Sequence, residues 1–200
     1  MDLRSCVMMV VAAALAYCLG SVSFGYLVSK SRGIDILKVG SGNPGFTNVL
    51  RTQGMKVAAV VLAGDLLKGT LAAFLGHVLA GEPGMLLAVG MVILGHSFSP
   101  LLHFRGGKGI ATAAGAMLYV SPLAMVLCAI TVVALAYLTK YMSVGSIAAA
   151  CACPFYLWLD HQSGLVIMVF ILCAAYVIWL HRSNIARLMN GTENKLTFHK

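Results

Sequence analysis

The chain has 200 residues, 60% of them hydrophobic and only 10% charged, with a mean hydropathy of +0.91. Soluble domains carry about 25% charged residues, so this composition excludes one and points to an integral membrane protein of a single domain. A formal net charge of +8 would suit nucleic acid, but the cations gather in loops on one side of the hydropathy pattern, which favours anionic headgroups and phosphorylated substrates.

A helix needs roughly 20 apolar residues to cross a bilayer. In chain order the sequence predicts spans at Val7–Ser29, Val57–Ala80, Met85–Leu102, Ile110–Val120, Leu123–Thr139, Val144–Leu159 and Leu165–Leu180. The first is too long for a signal-peptide core of about 7–15 residues and reads as a retained span. The fourth is short, and length alone would allow Ile110 to Thr139 to be one kinked helix. Charge placement decides for a hairpin at "YVSP". Lys30, Arg32, Lys38, Arg51 and Lys56 precede the second span, and Arg105 and Lys108 precede the fourth. Lys140 follows the fifth, while Arg182, Arg187, Lys195 and Lys200 follow the seventh. Holding these cations on one side requires an even number of crossings between Lys108 and Lys140. The expected fold is all-α and polytopic, one domain over residues 1–200, with seven transmembrane helices, the N-terminus outside and the C-terminus cytoplasmic.

Small-residue runs such as "AAALA", "GIATAAGA" and "SIAAACAC" suit close helix packing in lipid. The six cysteines form no CxxC pair and no zinc spacing, and read as small packing residues. Residues from Arg182 onward begin amphipathically, as a segment lying along the cytoplasmic interface would.

Polar groups inside spans are costly and usually face a cavity or one another. Asp65 and Lys68, three apart, share a helix face, and Asp65 lies roughly 13 Å in from Lys56 at ~1.5 Å per residue. His96 sits roughly 10 Å from its cytoplasmic end by the same measure. Ser21, Ser23, Ser143, Ser146, His181 and Asn184 fall in the same half. Taken singly, each is explained by an ion pair, a packed histidine or a hydroxyl bonded to its own helix. Their common depth argues for a polar cavity open to the cytoplasm.

Three glycine-and-cation segments face that side: "VGSGNPGFTNVLR" (Val39–Arg51), "FRGGKGIAT" (Phe104–Thr112) and "NGTENK" (Asn190–Lys195). Gly42, Gly106, Gly107 and Gly109 would let backbone N–H groups approach an oxyanion. Ser41, Asn43, Thr47 and Asn48 add side-chain donors. Arg51 can chelate a phosphate bidentately and Lys108 can reach it as a point charge. A helix starting near Ile110 adds a dipole of the right sign. "GGKG" lacks the Walker A spacing, and alone it reads equally as a basic turn against headgroups. Six acidic residues, none clustered, leave no paired carboxylates for Mg²⁺ chemistry, so no metal and no cofactor is expected. An HxxxxD pair and a GxSxG elbow are both missing.

In order along the chain, "GSGNPGFTNVLR", "GHSF" with "FRGGKGIAT", and "HRSNIARLMNGTENK" resemble the cytoplasmic motifs of the bacterial acyl-phosphate:glycerol-3-phosphate acyltransferases, the PlsY family. The resemblance covers essentially the whole chain. It implies a multi-pass inner-membrane enzyme, surrounded by membrane lipids, whose active site faces the cytoplasm. Such an enzyme transfers a fatty acyl group from long-chain acyl phosphate to the 1-hydroxyl of glycerol 3-phosphate, giving lysophosphatidic acid and inorganic phosphate. The resemblance puts Ser41, Asn43, Thr47, Asn48 and Arg51 at the substrate phosphates, and His96 and Lys108 near the acyl phosphate. It puts His181, Asn184, Arg187, Glu193 and Lys195 at the cytoplasmic mouth. His96, Lys108, His181 and Asn184 are the catalytic candidates; Asp65, Lys68 and Ser143 join the substrate-binding set. An acyl-phosphate-producing enzyme is a candidate partner, with no obligate protein partner and no nucleic acid expected.

The chain departs from the family pattern at Phe46, where alanine is common, at Ser23, near which a proline is common, and at Ser99, which separates Phe98 from Pro100. With no histidine–carboxylate pair visible to tune a side-chain base, a substrate phosphate oxygen is the expected acceptor of the hydroxyl proton. The rival reading is a membrane transporter of phosphorylated small anions, which predicts an inverted repeat and polar groups on both sides of the midplane. Neither appears in the sequence. A headgroup-binding structural protein has no need of three motifs.

Overall fold

A computed structural model describes residues 2–196, so the predicted tail cation Lys200 lies outside the described residues. Every regular element among them is helical. They divide into two compact units, one running to Val120 and one starting at Ser121.

In the first unit, α1 (Leu3–Ser21) starts where the Asp2 carboxylate accepts the Ser5 N–H at 2.9 Å. The predicted first span is not one continuous helix. Val22 and Ser23 leave helical geometry, and the Ser23 hydroxyl accepts the Tyr26 N–H to start the short α2 (Phe24–Ser31). α3 (Phe46–Gln53) follows the first glycine loop and ends at Gly54, whose φ of 86° suits glycine.

α4 (Met55–Ser97) has 43 residues. Straight, it would measure ~65 Å, about twice the hydrocarbon core of a bilayer. Ala80 and Gly81 break it, Gly81 with φ 63°. Gly76 then lies against the backbone of Gly84, a contact possible only because the chain doubles back. The break predicted between the second and third spans, within "AGEPG" (Ala80–Gly84), is thus a two-residue turn, and Pro83 sits in the first turn of the returning arm, where its missing N–H costs little. The predicted third span ends early, at Ser97; Pro100–Leu102 forms a separate 3-10 turn. α5 (Ile110–Val120) has the predicted bounds.

Close backbone approach holds these helices together. Gly20 of α1 presses on the Val92 carbonyl of α4, and Gly95 of α4 presses on the Tyr17 carbonyl of α1. The same reciprocity joins α4 to α5, through Gly69 against the Thr112 carbonyl and Gly115 against that of Leu66. A Cβ at any of these four would overlap a backbone oxygen. Lipid supplies no hydrophobic drive between helices, so such contacts carry the association. Large apolar side chains such as Leu67, Val78 and Leu101 point outward.

The second unit comprises α6 (Pro122–Thr139), α7 (Met142–Leu159), α8 (Gly164–Leu180) and α9 (Arg182–Met189). Ser121 begins α6 at "YVSP", accepting the Ala124 N–H at 3.1 Å and donating its own hydroxyl to Asp160 at 2.5 Å. The helix that would have run from Ile110 to Thr139 is therefore interrupted there. α6 ends at Lys140, in the left-handed region with φ 64°. Gly145 lets α7 press on the Val132 carbonyl of α6. α9 is the predicted amphipathic segment and bends 54° from α8.

Among the described residues, four stretches can cross a bilayer by length and apolarity: Leu3–Ser31, Met55–Leu102, Pro122–Thr139 and Met142–Leu159. The bent pair α8 and α9 makes a fifth if counted as one span. All six cysteines are free thiols.

Candidate active site

The first loop is folded onto its own core, made by Ile36, Val49, Ala58 and Val61. Gly40 and Gly42 take positive φ, 62° and 69°, which turns the chain sharply. Asn48 is buried and holds the turn from inside. Its Oδ1 accepts the Ser41 N–H at 2.9 Å, and its Nδ2 donates to the Val39 carbonyl at 2.9 Å. Gly42 N–H donates to the Val39 carbonyl at 3.1 Å and Gly45 N–H to Asn43 Oδ1 at 2.9 Å. Thr47 and Arg51, four apart on α3, share a face of that helix. Both are half-buried.

The second loop comes to the first. Asn43 Nδ2 donates to the Gly106 carbonyl at 3.4 Å, joining motifs 63 positions apart. Gly106 N–H donates to the Ser97 carbonyl at 3.0 Å and Gly107 N–H to the His96 carbonyl at 3.1 Å. The glycine N–H groups of Gly42, Gly106 and Gly107 are therefore engaged inside the protein and do not form the expected anion nest. Buried backbone groups find partners, and here the nearest acceptors are the loop's own carbonyls and the end of α4. The glycines instead permit approach: a Cβ at Gly106 would overlap the His96 carbonyl oxygen. Half-buried Lys108 follows, then Gly109 with φ 80°, immediately before α5.

Beneath this loop Asp65, Lys68 and His96 meet, all 5% exposed or less. Lys68 Nζ lies 2.7 Å from Asp65 Oδ1, as their spacing on one helix face predicts. It also donates to the carbonyls of Gly20 (3.2 Å) and Val22 (2.8 Å) and lies 2.8 Å from His96 Nδ1. A cation there satisfies carbonyls left open at the C-terminal end of α1. The histidine–carboxylate proximity that the sequence did not reveal is present in the fold. His96 Nδ1 lies 3.7 Å from Asp65 Oδ1, too far for a hydrogen bond, with the lysine beside both.

In the second unit the third motif closes around Glu193. Its Oε1 accepts from Ser143 Oγ (2.9 Å) and Asn184 Nδ2 (2.7 Å), and its Oε2 accepts from Arg187 Nε (2.7 Å). Leu196 N–H donates to the Lys140 carbonyl at 2.7 Å, so the tail is tied to the turn between α6 and α7. His181 is buried and its Nδ1–H donates to the Val177 carbonyl at 2.8 Å, which leaves the Nε2 lone pair on the neutral ring. Lys195 is exposed.

Burial pushes the Glu193 carboxyl up, but hydrogen bonds from Asn184, Arg187 and Ser143 outweigh it and hold the group below its ordinary range. A depressed folded value stabilises the tail above the unfolded carboxyl's pKa of about 4.3, and that stability is lost as pH falls through the folded value. Hydrogen exchange of residues 190–196 is expected to accelerate on that acid limb. Glu193→Gln should abolish the acid dependence and weaken tail docking by about 1–3 kcal/mol at neutral pH.

Two contributors were missed in the sequence. Ser99 Oγ donates to the Ser21 carbonyl at 2.7 Å, and the Ser99 carbonyl accepts the Phe104 N–H at 2.8 Å. Tyr17 donates its hydroxyl to the Phe98 carbonyl at 2.8 Å. Together they tie residues 98–104 to α1 and so seat the second loop. A phenol within an apolar run and the serine insertion before Pro100 were the only signals.

A family model described as glycerol-3-phosphate acyltransferase matches residues 10–191. The chain is 41% identical over 195 residues to a glycerol-3-phosphate acyltransferase of Clostridioides difficile strain 630, covering 94% of this chain and 95% of that one. It is 43% identical over 190 residues to glycerol-3-phosphate acyltransferase 2 of Moorella thermoacetica, with 94% and 98% covered. Two crystal structures of PlsY (YgiH), an integral membrane glycerol 3-phosphate acyltransferase, superpose at TM-scores of 0.90 for the glycerol 3-phosphate form and 0.89 for the lysophosphatidic acid form. Both are 32% identical and cover 94% of this chain, with 96% and 95% of theirs.

Proposed function

The chain belongs to the glycerol-3-phosphate acyltransferase family, and from that premise we propose that its acyl donor is a long-chain acyl phosphate, its acceptor the 1-hydroxyl of glycerol 3-phosphate, and its products 1-acylglycerol 3-phosphate and inorganic phosphate. One observation supports two phosphorylated substrates above all. The Asn43–Gly106 hydrogen bond brings the Arg51-bearing loop to the Lys108-bearing loop.

An acyl phosphate is already activated, so the protein chiefly has to hold two anions and stabilise charge as it develops. The hydroxyl oxygen attacks the carbonyl carbon, the carbon–oxygen bond to phosphate breaks, and the hydroxyl proton leaves with the departing phosphate. Arg51, with Thr47, Asn43 and Ser41 around it, holds one phosphate. Lys108 neutralises the leaving group, and Gly42, Gly106, Gly107, Gly109 and Asn48 give the two loops their shape. In the second unit Ser143, Asn184, Arg187, Glu193 and Lys195 are proposed as substrate-binding residues.

Seven crossings accommodate the fold: α1 with α2, the two arms of α4, and α5 to α8. The N-terminus lies outside, and the loops carrying the three motifs face the cytoplasm at a bacterial inner membrane. An acyl-phosphate-producing enzyme would supply the donor.

Purified protein in lipid, given glycerol 3-phosphate with palmitoyl phosphate, palmitoyl-CoA or acyl carrier protein, tests the donor. Stoichiometric phosphate and lysophosphatidic acid are expected from acyl phosphate alone, and undiminished with EDTA present. Turnover of palmitoyl-CoA alone, or its loss on chelation, would overturn the donor or the metal independence respectively.

A further inference from the structure

We infer that Lys68 and His96 are a positioning pair for the loop that carries Lys108, with Lys68 fixing the imidazole as its Nε2–H tautomer. The inference rests on the acyl-transfer reading for its kinetic consequence, but its geometry stands in the first unit alone.

An ammonium has three protons and no lone pair. Lys68 Nζ has four acceptors within 3.2 Å, the carbonyls of Gly20 and Val22, His96 Nδ1 and Asp65 Oδ1, and it can offer a lone pair to none of them. His96 Nδ1 must therefore accept, and the neutral ring carries its proton on Nε2. That end of the ring abuts Gly107, where a Cβ would overlap Nε2. The His96 carbonyl accepts the Gly107 N–H at 3.1 Å, so ring and main chain of one residue seat the same glycine. Lys108 is the next residue.

The chain of contacts is short and buried as far as Gly107. It runs from the broken end of α1 through Lys68 to the His96 ring, then to Gly107 and Lys108. Lys68 is 4% exposed and its donors are committed within the protein, which makes it a group that sets geometry and does not hold substrate. The two glycines are required because the loop must lie flat on His96 for the ring to reach it. A ring free to flip would present an unprotonated nitrogen or a displaced edge to Gly107, and the Lys108 ammonium would move with the loop. Displacements near 1 Å in a positioned group can cost about 100-fold in rate.

The test reads tautomer and kinetics separately. Protein carrying ¹⁵N-labelled histidine rings, in lipid bilayers, is compared with His96→Gln to assign the resonances. The wild type is expected to show His96 with bare Nδ1 and protonated Nε2. Removing Lys68 alone would strand the Asp65 charge and risk misfolding. The paired variant Asp65→Asn with Lys68→Met avoids this, and should give mixed tautomers. Its kcat for acyl phosphate should fall about 10- to 100-fold, with both KM values within about twofold. Adding His96→Gln to it should cost little more, since the three act as a unit. An Nδ1–H signal in the wild type would overturn the inference without any variant. So would a raised KM for glycerol 3-phosphate at unchanged kcat, which marks a substrate contact. Wild-type protein that shows the expected tautomer but turns over no acyl phosphate would refute the kinetic role, and the donor assignment would fall with it.

Discussion

Lys108→Ala is expected to lower turnover of acyl phosphate by about 10²–10³-fold, the loss typical of removing one charge-stabilising group from a preorganised site. The loop would keep its place, because Gly106 and Gly107 seat it through backbone bonds to Ser97 and His96. Their N–H groups are already engaged, so in this proposal the developing phosphate dianion is met by charge, and Lys108 is the cation that directly follows the seated glycines. Lys108→Arg should recover part of the rate, since the charge returns with a different reach. Single-turnover rates, with thermal unfolding followed in parallel, check both statements. Turnover within about threefold of wild type would remove Lys108 from the chemistry.

The second large effect is structural. Gly25→Ala is expected to dislodge the first motif loop and leave little active protein. A Cβ at Gly25 would overlap the Pro44 carbonyl oxygen, with the Val61 side chain also near, and the overlap is with backbone that no rotamer change can move aside. Pro44 is buried at the centre of "NPGF", between Asn43 and the start of α3. Overpacking of this kind costs about 3 kcal/mol. Gly90→Ala is the control, because a Cβ there meets nothing within 4 Å and the position is helical. Detergent-stable yield and unfolding temperature should drop for Gly25→Ala and hold for Gly90→Ala. Equal behaviour of the two would mean that α2 and the loop can part cheaply.

Spans were most legible where strong local signals bound them. α5 runs from Ile110 to Val120 as expected because Gly109 precedes it and Ser121–Pro122 ends it. The first span was legible as a span, but its break at Val22–Ser23 was not. Its apolar composition continues past Val22, and the break depends on Ser23 capping α2 and on Lys68 taking the carbonyls of Gly20 and Val22. The Asp65–Lys68 pair was legible from its spacing on one helix face. That His96 joins it was not, since only the reversal at Ala80–Gly81 brings the second arm alongside the first. Asn48 was read as a donor to substrate because a side-chain amide in a glycine loop carries no mark of where it points. In the fold that amide holds the loop itself.

Apolarity, small-residue runs and the order of cations determined by themselves that this chain is a helical membrane protein, because each is a property of neighbouring residues. The tertiary structure alone decided which carbonyls the glycines press on, which acceptors Lys68 fills and which loop Asn43 reaches. Lys68 stands 28 positions from His96 and 48 from Gly20, and Asn43 stands 63 from Gly106. A contact across such distances exists only once helices have packed, and in lipid that packing is set by backbone approach at individual glycines, which no local pattern encodes.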